Sequence, residues 1–223
     1  MIKYILFDMD GLMVDSEIAV FNIWQQLYAE HGIDFQLDTY RKMLARTVSV
    51  KGAISSSWPA PEIRDTLKTT WTRLYMQMAL EGKVAAKPGL YELLDYCEAN
   101  GIRKAVASSS GMERVIPTLY GDKIYYRLDA FVTGEDVHHG KPNPEPFLLA
   151  AERLGKAIGE EIKLDECLVL EDTQRGIEAG VAAGAKVIWI PDLVAVDDEH
   201  AKMVEFVGKT LADVIPWLEK NKA

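Results

Sequence analysis

Residues 3–16, KYILFDMDGLMVDS, decide the fold. The apolar run at residues 4–7 is typical of a short strand that is buried on both faces. Side chains alternate along an extended segment, so Asp8 and Asp10 share a face and can point into one pocket. That pocket would lie at the carboxyl end of the strand, where open α/β sheets bind their ligands.

Two carboxylates this close repel each other unless a proton or a cation lies between them. Mg²⁺ is the natural guest of a site whose few protein ligands are all oxygen atoms. A strand-end Asp is also common as a helix cap or a turn former, and Asp-x-Asp-Gly alone is a weak pattern. On this stretch alone, both readings stay open.

Composition limits the classes of function. The chain has 223 residues, 48% of them hydrophobic and 26% charged, as in an ordinary globular protein. Acidic residues outnumber basic ones by 34 to 25, which gives a formal charge of -9. This charge disfavours binding to nucleic acid or to an anionic membrane, because both require a basic surface. A phosphate site would therefore have to supply its own local positive charge.

Cys97 and Cys167 have no metal-site spacing and lie in apolar-periodic stretches, so we expect them to be reduced and buried. No apolar stretch reaches the length of a membrane span, and the first residues show no signal-peptide pattern. We therefore expect a cytoplasmic protein. Nothing resembles an interaction helix, so a monomer is expected.

The chain has two kinds of organisation. From residue 16 to residue 84 the pattern is helical, with expected helices at 17–30, 37–46, 50–57 and 61–80. After residue 84 strands and helices alternate, with expected strands at 104–107, 130–133, 167–170 and 186–190. This alternation predicts an α/β fold with a doubly wound, Rossmann-like parallel sheet. Residues 1–15 and 85–223 would form the core, and 16–84 an inserted all-helical domain.

Four polar clusters follow predicted strands, and in a parallel sheet they would meet at one edge. They are Asp8 with Asp10, Ser108, Lys141, and Glu171 with Asp172. Each alone has an ordinary explanation, such as a capping loop, a solvated lysine or an acidic first helical turn. His138 and His139 read as a polar loop, since no third metal ligand stands out.

Together the clusters fit a phosphoryl-transfer site. A carboxylate nucleophile divides phosphate-ester hydrolysis into two easier steps through an aspartyl-phosphate. A second carboxyl can give the departing oxygen its proton and recover one from water. The charge on the transferred group requires Mg²⁺, a lysine, and hydroxyl or backbone N–H donors.

Four stretches carry a resemblance to a known family: FDMDGLMVDSE (7–17), VASSS (106–110), GKPNPEPF (140–147) and LEDTQRGIEAGVAAG (170–184). They resemble the phosphohydrolases of the haloacid dehalogenase superfamily. The most similar branch carries a helical cap after the first strand and includes β-phosphoglucomutase, phosphoglycolate phosphatase and sugar-phosphate phosphatases. The resemblance implies that residues 16–84 are a cap that closes over the substrate.

The resemblance also implies roles for single residues. Asp8 would be the phosphorylated nucleophile and Asp10 the general acid/base. Ser108 would hold the phosphate together with the backbone N–H of Ser109. Lys141 would neutralise the charge of the nucleophile and the phosphate.

The implied cofactor is Mg²⁺. Its implied ligands are the carboxylates of Asp8 and Asp172 and the backbone carbonyl of Asp10. Glu171 would support the metal directly or through water.

Departures from the family pattern narrow the function. Haloacid dehalogenases proper lack the second aspartate, so Asp10 favours phosphate chemistry. β-Phosphoglucomutases carry a cap histidine near the position of Val20, and valine cannot replace it, which favours a hydrolase. The cap loop of the family matches Ala45-Arg46-Thr47 here, so Arg46 is a candidate substrate contact or else a solvated arginine at a helix end.

The sequence thus predicts a Mg²⁺-dependent phosphatase that acts through an aspartyl-phosphate. Its partner would be a small phosphate ester, a sugar or polyol phosphate. One alternative is a phosphomutase that uses a bisphosphate primer. A second, of a different class, is a non-catalytic phospho-receiver or binding module, but receivers are shorter and lack a cap.

Overall fold

The computed structural model of the chain describes residues 1–45, 61–193 and 197–221. Five strands form one sheet in the order β3-β2-β1-β4-β5, and all pairs are parallel. The strands are β1 (Tyr4–Phe7), β2 (Arg103–Ala107), β3 (Ala130–Val132), β4 (Cys167–Glu171) and β5 (Lys186–Trp189). The predicted doubly wound parallel sheet is confirmed. The chain order reverses beside β1, so the binding crevice of such a sheet falls at its carboxyl end.

Between residues 16 and 84, the described residues form three helices: α1 (Ser16–Ala29), α2 (Leu37–Ala45) and α3 (Pro61–Leu80). The core carries α4 (Leu90–Ala99), α5 (Met112–Gly121), α6 (Glu145–Ile158), α7 (Gln174–Ala182), α8 (Asp198–Ala201) and α9 (Val214–Lys220). Short 3₁₀ turns lie at Tyr125–Arg127, Leu164–Glu166 and Leu211–Asp213. The predicted helix 50–57 lies outside the described residues.

Strand β1 is central because it is apolar on both faces. Ile5 and Phe7 point into the layer shared with α4 and α9, while Tyr4 and Leu6 point into the layer shared with α6 and α7. All four residues are buried. A strand with only one apolar face would have to lie where one side of the sheet meets water.

The end of α6 differs from the sequence expectation. The sequence predicts a helix from 144 to 154 with Gly155 behind it, whereas α6 continues to Ile158. The stop is Gly159, whose φ of 75° ends the helix in the left-handed region. Gly155 serves packing instead, because a Cβ there would lie 2.5 Å from the carbonyl oxygen of Glu160.

Proline and cysteine behave as chemistry requires. Pro216 lies in the first turn of α9, where a missing backbone N–H costs no intrahelical hydrogen bond. Cys97 and Cys167 are free and buried, as predicted, and burial raises the pKa of each thiol to about 12. Among the described residues, no helix is long and apolar enough to cross a membrane.

The two connections of the insertion run side by side. Val14 and Ala86 form an antiparallel bridge. The Asp15 N–H donates to the Ala85 carbonyl at 2.8 Å, and the Lys87 N–H donates to the Met13 carbonyl at 2.9 Å. This linker ribbon, residues 13–15 with 85–87, lies where the chain leaves the turn after β1. The division into core and inserted domain at residues 16 and 84 stays a prediction.

The insertion has an aromatic centre of its own. The rings of Tyr28 and Phe35 stack at 4.7 Å, and Trp24 packs edge-on against Trp71 at 6.1 Å. Val20 is buried among these helices. The helices of the insertion therefore pack against one another through apolar contacts of their own, in addition to any contacts with the core.

One half-buried ion pair ties β3 and the loop after it to α6, and it makes stability depend on pH. Arg153 donates to the Asp136 carboxylate at 2.6 Å and to the Phe131 carbonyl at 2.9 Å. Asp136 also accepts from the Thr133 N–H and hydroxyl, both at 2.8 Å. The hydrogen bond from Arg153, with those from Thr133, lowers the pKa of Asp136 to about 2, against the opposing effect of burial.

We expect Asp136→Asn to lower the free energy of unfolding at neutral pH by about 1 kcal/mol. Because the folded pKa of Asp136 lies below its ordinary value of 3.8, its contribution is full above that value and is lost towards about 2. The difference in the free energy of unfolding between wild type and variant, measured in denaturant melts, should therefore shrink as the pH falls through this window. Asp165→Asn, which removes an exposed carboxylate, is the control; a gap that stays constant down to low pH would contradict the assignment.

Candidate active site

The turn after β1 places Asp8 at the carboxyl edge of the sheet. The Asp8 N–H donates to the Leu170 carbonyl of β4 at 3.0 Å, so the strand ladder fixes its backbone. Its side chain is buried and contacts the Lys141 ammonium through Oδ1. Lys141 Nζ also donates to Glu171 Oε1 at 2.6 Å. One buried ammonium is thus shared between two carboxylates that lie far apart in sequence.

Contacts with α6 and α7 hold Lys141 in place. Its ammonium lies 4.7 Å from the centre of the Phe147 ring, in cation–π geometry. The Arg175 guanidinium donates to its backbone carbonyl, with Nε at 3.0 Å. The position of the ammonium is therefore set by α6, α7 and the loop between β3 and α6.

Glu171 is fully occupied by donors of the protein. Its Oε2 accepts from the Asp172 N–H at 3.0 Å, the Thr173 N–H at 3.1 Å and the Thr173 hydroxyl at 3.0 Å. Its Oε1 accepts from Lys141. Gly176 leaves room for this carboxylate, because a Cβ there would lie 1.8 Å from the carboxyl carbon. Of the two predicted modes, this arrangement favours support of a metal through water over direct ligation.

The pocket carries more negative charge than Lys141 can neutralise. Burial raises the pKa of Asp8 to about 8, the nearby Lys141 opposes the rise, and Glu171 and Asp10 add to it. Burial and the carboxylates of Glu171 and Asp8 raise the pKa of Asp172 well above its ordinary range. The buried Asp172 Oδ1 has no hydrogen-bond partner among the described residues.

These groups fit a hard divalent cation, since an orphaned carboxylate oxygen and surplus negative charge lie together. No three His, Cys, Asp or Glu side chains form a ready-made metal cluster in the parts of the chain that are described. The predicted ligand set consists of two side chains, Asp8 and Asp172, and the backbone carbonyl of Asp10, with Glu171 as a support directly or through water.

Gly11 allows the turn to approach Asp172. Its φ is 76°, a conformation that glycine adopts at little cost. A Cβ at this position would lie 2.4 Å from Asp172 Oδ2. The glycine of the Asp-x-Asp-Gly pattern thus serves both the turn and the space of the pocket.

Asp10 lies in a different environment from Asp8. Its Oδ2 accepts from the Ser110 hydroxyl at 2.7 Å and the Ser108 hydroxyl at 3.2 Å. Its Oδ1 lies 2.7 Å from Nη2 of Arg114, in an ion pair. Ser109, between the two serines, is exposed. The sequence-predicted Ser108 therefore lies in the site, where its hydroxyl contacts Asp10.

Sequence reasoning missed Ser110 and Arg114. Ser110 could have been found, because it lies two positions from Ser108 and can share its face. Arg114 offers no such signal, since its direction depends on where α5 begins. The predicted candidate Arg46 lies outside the described residues.

Comparison with known proteins identifies the class. The family model described as haloacid dehalogenase-like hydrolase matches residues 5–190. The chain therefore belongs to this family, in the branch that carries a helical cap, as the resemblance implied. We use the word cap below for the helical insertion with α1, α2 and α3.

Several similar proteins are phosphatases. Hexitol phosphatase A of Escherichia coli is 34% identical over 191 residues, which cover 84% of this chain and 82% of that protein. The phosphorylated carbohydrates phosphatase of Thermotoga maritima is 27% identical over 187 residues, 83% of each chain. The crystal structure of CbbY from Rhodobacter sphaeroides in complex with phosphate matches with a TM-score of 0.76 and 25% identity, over 96% of each chain. The chain is a phosphoric monoester hydrolase.

Gly176 provides a test of the pocket geometry. Gly→Ala inside a helix ordinarily stabilises a protein, because it removes conformational freedom from the unfolded chain. In Gly176→Ala the new methyl group would displace the Glu171 carboxylate and loosen Lys141. We expect turnover of p-nitrophenyl phosphate to fall by about tenfold or more.

The matched control is Gly140→Ala, because a Cβ there meets nothing within 4 Å. It should keep wild-type turnover. Wild-type turnover in Gly176→Ala would show that the position of Glu171 does not matter for the reaction.

Proposed function

We propose that this protein is a Mg²⁺-dependent phosphatase that hydrolyses a small sugar or polyol phosphate through an aspartyl-phosphate on Asp8. The observation that carries the proposal is the buried ammonium of Lys141, shared between Asp8 and Glu171 beside Asp172. Lys141 is buried in a pocket whose carboxylates carry more negative charge than one ammonium neutralises. Such a lysine suits the binding of a phosphoryl group better than a purely structural role.

In the first step a carboxylate oxygen of Asp8 attacks the phosphorus atom of the ester. A bond forms between that oxygen and phosphorus, and the bond from phosphorus to the ester oxygen breaks with its electron pair. Asp10 gives a proton to the departing oxygen, which leaves as an alcohol. Lys141 stabilises negative charge on the phosphoryl oxygens and on Asp8.

In the second step water attacks the phosphorus atom of the aspartyl-phosphate. Asp10, now a carboxylate, takes a proton from that water. The bond from phosphorus to Asp8 breaks, which releases inorganic phosphate and restores both carboxyl groups. Asp10 can serve both steps because the hydroxyls of Ser108 and Ser110 hold its Oδ2 in place.

The metal would be held by the carboxylates of Asp8 and Asp172 and the backbone carbonyl of Asp10, with Glu171 supporting it through water. When bound, Mg²⁺ supplies positive charge to the phosphoryl oxygens. The cap would exclude bulk water while the phosphoryl group is transferred. Ser109 would donate its backbone N–H to the phosphate. Arg46 is a candidate substrate contact.

The names of similar proteins support the proposed substrate class. Relatives that span more than four fifths of this chain carry the names hexitol phosphatase and phosphorylated carbohydrates phosphatase. A polyol or sugar phosphate is an alkyl ester, whose alkoxide leaves poorly without a proton. The presence of Asp10 as a proton donor suits such esters.

We expect phosphate release from at least one member of a panel of hexitol, hexose, glycolate and nucleoside monophosphates. Asp8→Asn should abolish release, because an amide cannot accept the phosphoryl group. A wild-type reaction quenched in acid should show a protein mass increased by one phosphoryl group, located on the peptide with Asp8. Release by Asp8→Asn would exclude the proposed nucleophile.

The same assay separates the phosphatase from the mutase. Interconversion of a hexose phosphate in the presence of its bisphosphate, with no release of phosphate, would replace the proposal by a phosphomutase. No reaction with any ester, and no change in protein mass, would favour a binding module.

The metal site can be tested without substrate. A ligand that binds only the folded state raises Tm. Mg²⁺ should therefore raise the Tm of the wild type, and the rise should be lost in Asp172→Asn, which removes one anionic ligand. Asp165→Asn, a change of the same kind on the exposed surface, should keep the full rise. An equal rise in all three proteins would place any bound Mg²⁺ elsewhere.

A further inference from the structure

Arg114 lies in the first turn of α5 and reaches the carboxylate of Asp10 from the side opposite the two serines. Its Nη2 lies 2.7 Å from Asp10 Oδ1, while both serine hydroxyls bind Oδ2. The Asp10 carboxylate thus accepts hydrogen bonds at Oδ2 and has a charge partner, which lacks hydrogen-bond geometry, at Oδ1. An arginine keeps its positive charge at any pH at which the protein is folded.

The other neighbours of the Arg114 side chain belong to the cap. Its guanidinium carbon lies 4.7 Å from the centre of the Tyr75 ring of α3. Its Nη2 lies 3.9 Å from Glu17 Oε1 of α1. Arg114 therefore spans the contact between cap and core, with Asp10 on one side and two cap side chains on the other.

Hydrogen bonds hold the cap side chains in this position. The Tyr75 hydroxyl bonds Thr118 Oγ1 at 3.1 Å, and the Thr118 hydroxyl donates to the Arg114 carbonyl at 2.7 Å. The Tyr40 hydroxyl donates to Glu17 Oε2 at 2.5 Å. Tyr75 is thus tied through Thr118 to the backbone of Arg114, and the cap contacts the guanidinium through the Tyr75 ring and through Glu17.

We propose that Arg114 is a positioning residue, which orients Asp10 for proton transfer to the leaving oxygen and does so fully only when the cap is seated on the core. The inference rests on the proposed role of Asp10 as general acid. In that step the O–H bond of Asp10 breaks and the proton goes to the ester oxygen as its bond to phosphorus breaks. Arg114 transfers nothing; it keeps the carboxyl from turning away from the leaving group.

The chain offers a matched control in Arg127. Its side chain is 21% exposed and that of Arg114 is 20% exposed. Arg127 also pairs with two carboxylates, Asp95 at 2.6 Å and Glu98 at 2.8 Å, but both belong to α4. Replacement of either arginine removes a partly buried guanidinium with its ion pairs, and only one of them contacts Asp10.

The test compares two esters of similar shape with different leaving groups. p-Nitrophenolate departs without a proton, whereas phenolate is a poorer leaving group that benefits from one. In Arg114→Met we expect kcat/KM, which reports the steps up to phosphorylation of Asp8, to fall by about tenfold or more for phenyl phosphate and by less than about threefold for p-nitrophenyl phosphate. KM should change by less than about threefold for both, and Arg127→Met should retain wild-type constants.

An equal loss on both esters, or a loss confined to KM, would overturn the inference, because Arg114 would then support the fold or bind the substrate. Should Arg114→Met fail to fold in thermal melts, Arg114→Lys serves in its place. Lysine retains the charge but not the planar group that stacks on Tyr75, so a smaller loss with the same selectivity for phenyl phosphate is expected. A lysine variant without that selectivity would overturn the inference as well.

A double-mutant cycle separates this inference from the proposed function. Asp10→Asn should penalise phenyl phosphate more than p-nitrophenyl phosphate; otherwise Asp10 is not the general acid, and both proposals fall. If Asp10→Asn shows the selectivity, adding Arg114→Met should cause no further loss, because Arg114 acts through Asp10. Additive losses would overturn the role of Arg114 alone and leave that of Asp10 intact.

Discussion

The buried ammonium of Lys141 is the interaction on which the arrangement of the site depends. It contacts Asp8 and Glu171, both of which are almost fully buried. Removal of one partner from such a group leaves an uncompensated charge in a region of low dielectric, which costs several kcal/mol. The ammonium also connects three parts of the chain, the turn after β1, the loop before α6 and the end of β4. The sheet brings these segments to one edge, and Lys141 holds them in register there.

Asp8 and Asp10 lie two residues apart in one turn, yet their surroundings prepare them for different chemistry. Asp8 lies beside an ammonium and two further carboxylates. Asp10 lies among hydroxyls, with a guanidinium on its far oxygen. When two carboxylates have such different surroundings, one can act as nucleophile while the other exchanges protons. The difference arises from Ser108 and Ser110 in the loop after β2 and from Arg114 of α5, which contact Asp10.

Much of the fold and part of the site could be predicted from the sequence, for a physical reason. The apolar run at residues 4–7 can be buried on both sides only in the middle of a sheet, and parallel strands bring their carboxyl ends to one edge. Those two constraints predict that Asp8, Lys141 and Glu171 meet.

The contacts that sequence reasoning missed depend on other variables. Arg114 reaches Asp10 only because α5 begins at Met112, and its contacts with Tyr75 and Glu17 depend on how the cap helices pack on the core. Likewise the end of α6 depends on the approach of the Glu160 carbonyl to Gly155, a tertiary contact that no local pattern encodes.

The linker ribbon has a consequence for how this architecture can vary. Hydrogen bonds of 2.8 and 2.9 Å fix the separation of the two chain segments that enter and leave the cap. An insertion between them has one geometric requirement, which is that its two ends lie close together. The entropic cost of bringing the ends of a loop together grows slowly with the length of the loop. The cap can therefore lengthen, shorten or exchange helices with little effect on the sheet. Changes in the length or composition of the insertion can therefore leave the geometry of the catalytic edge intact.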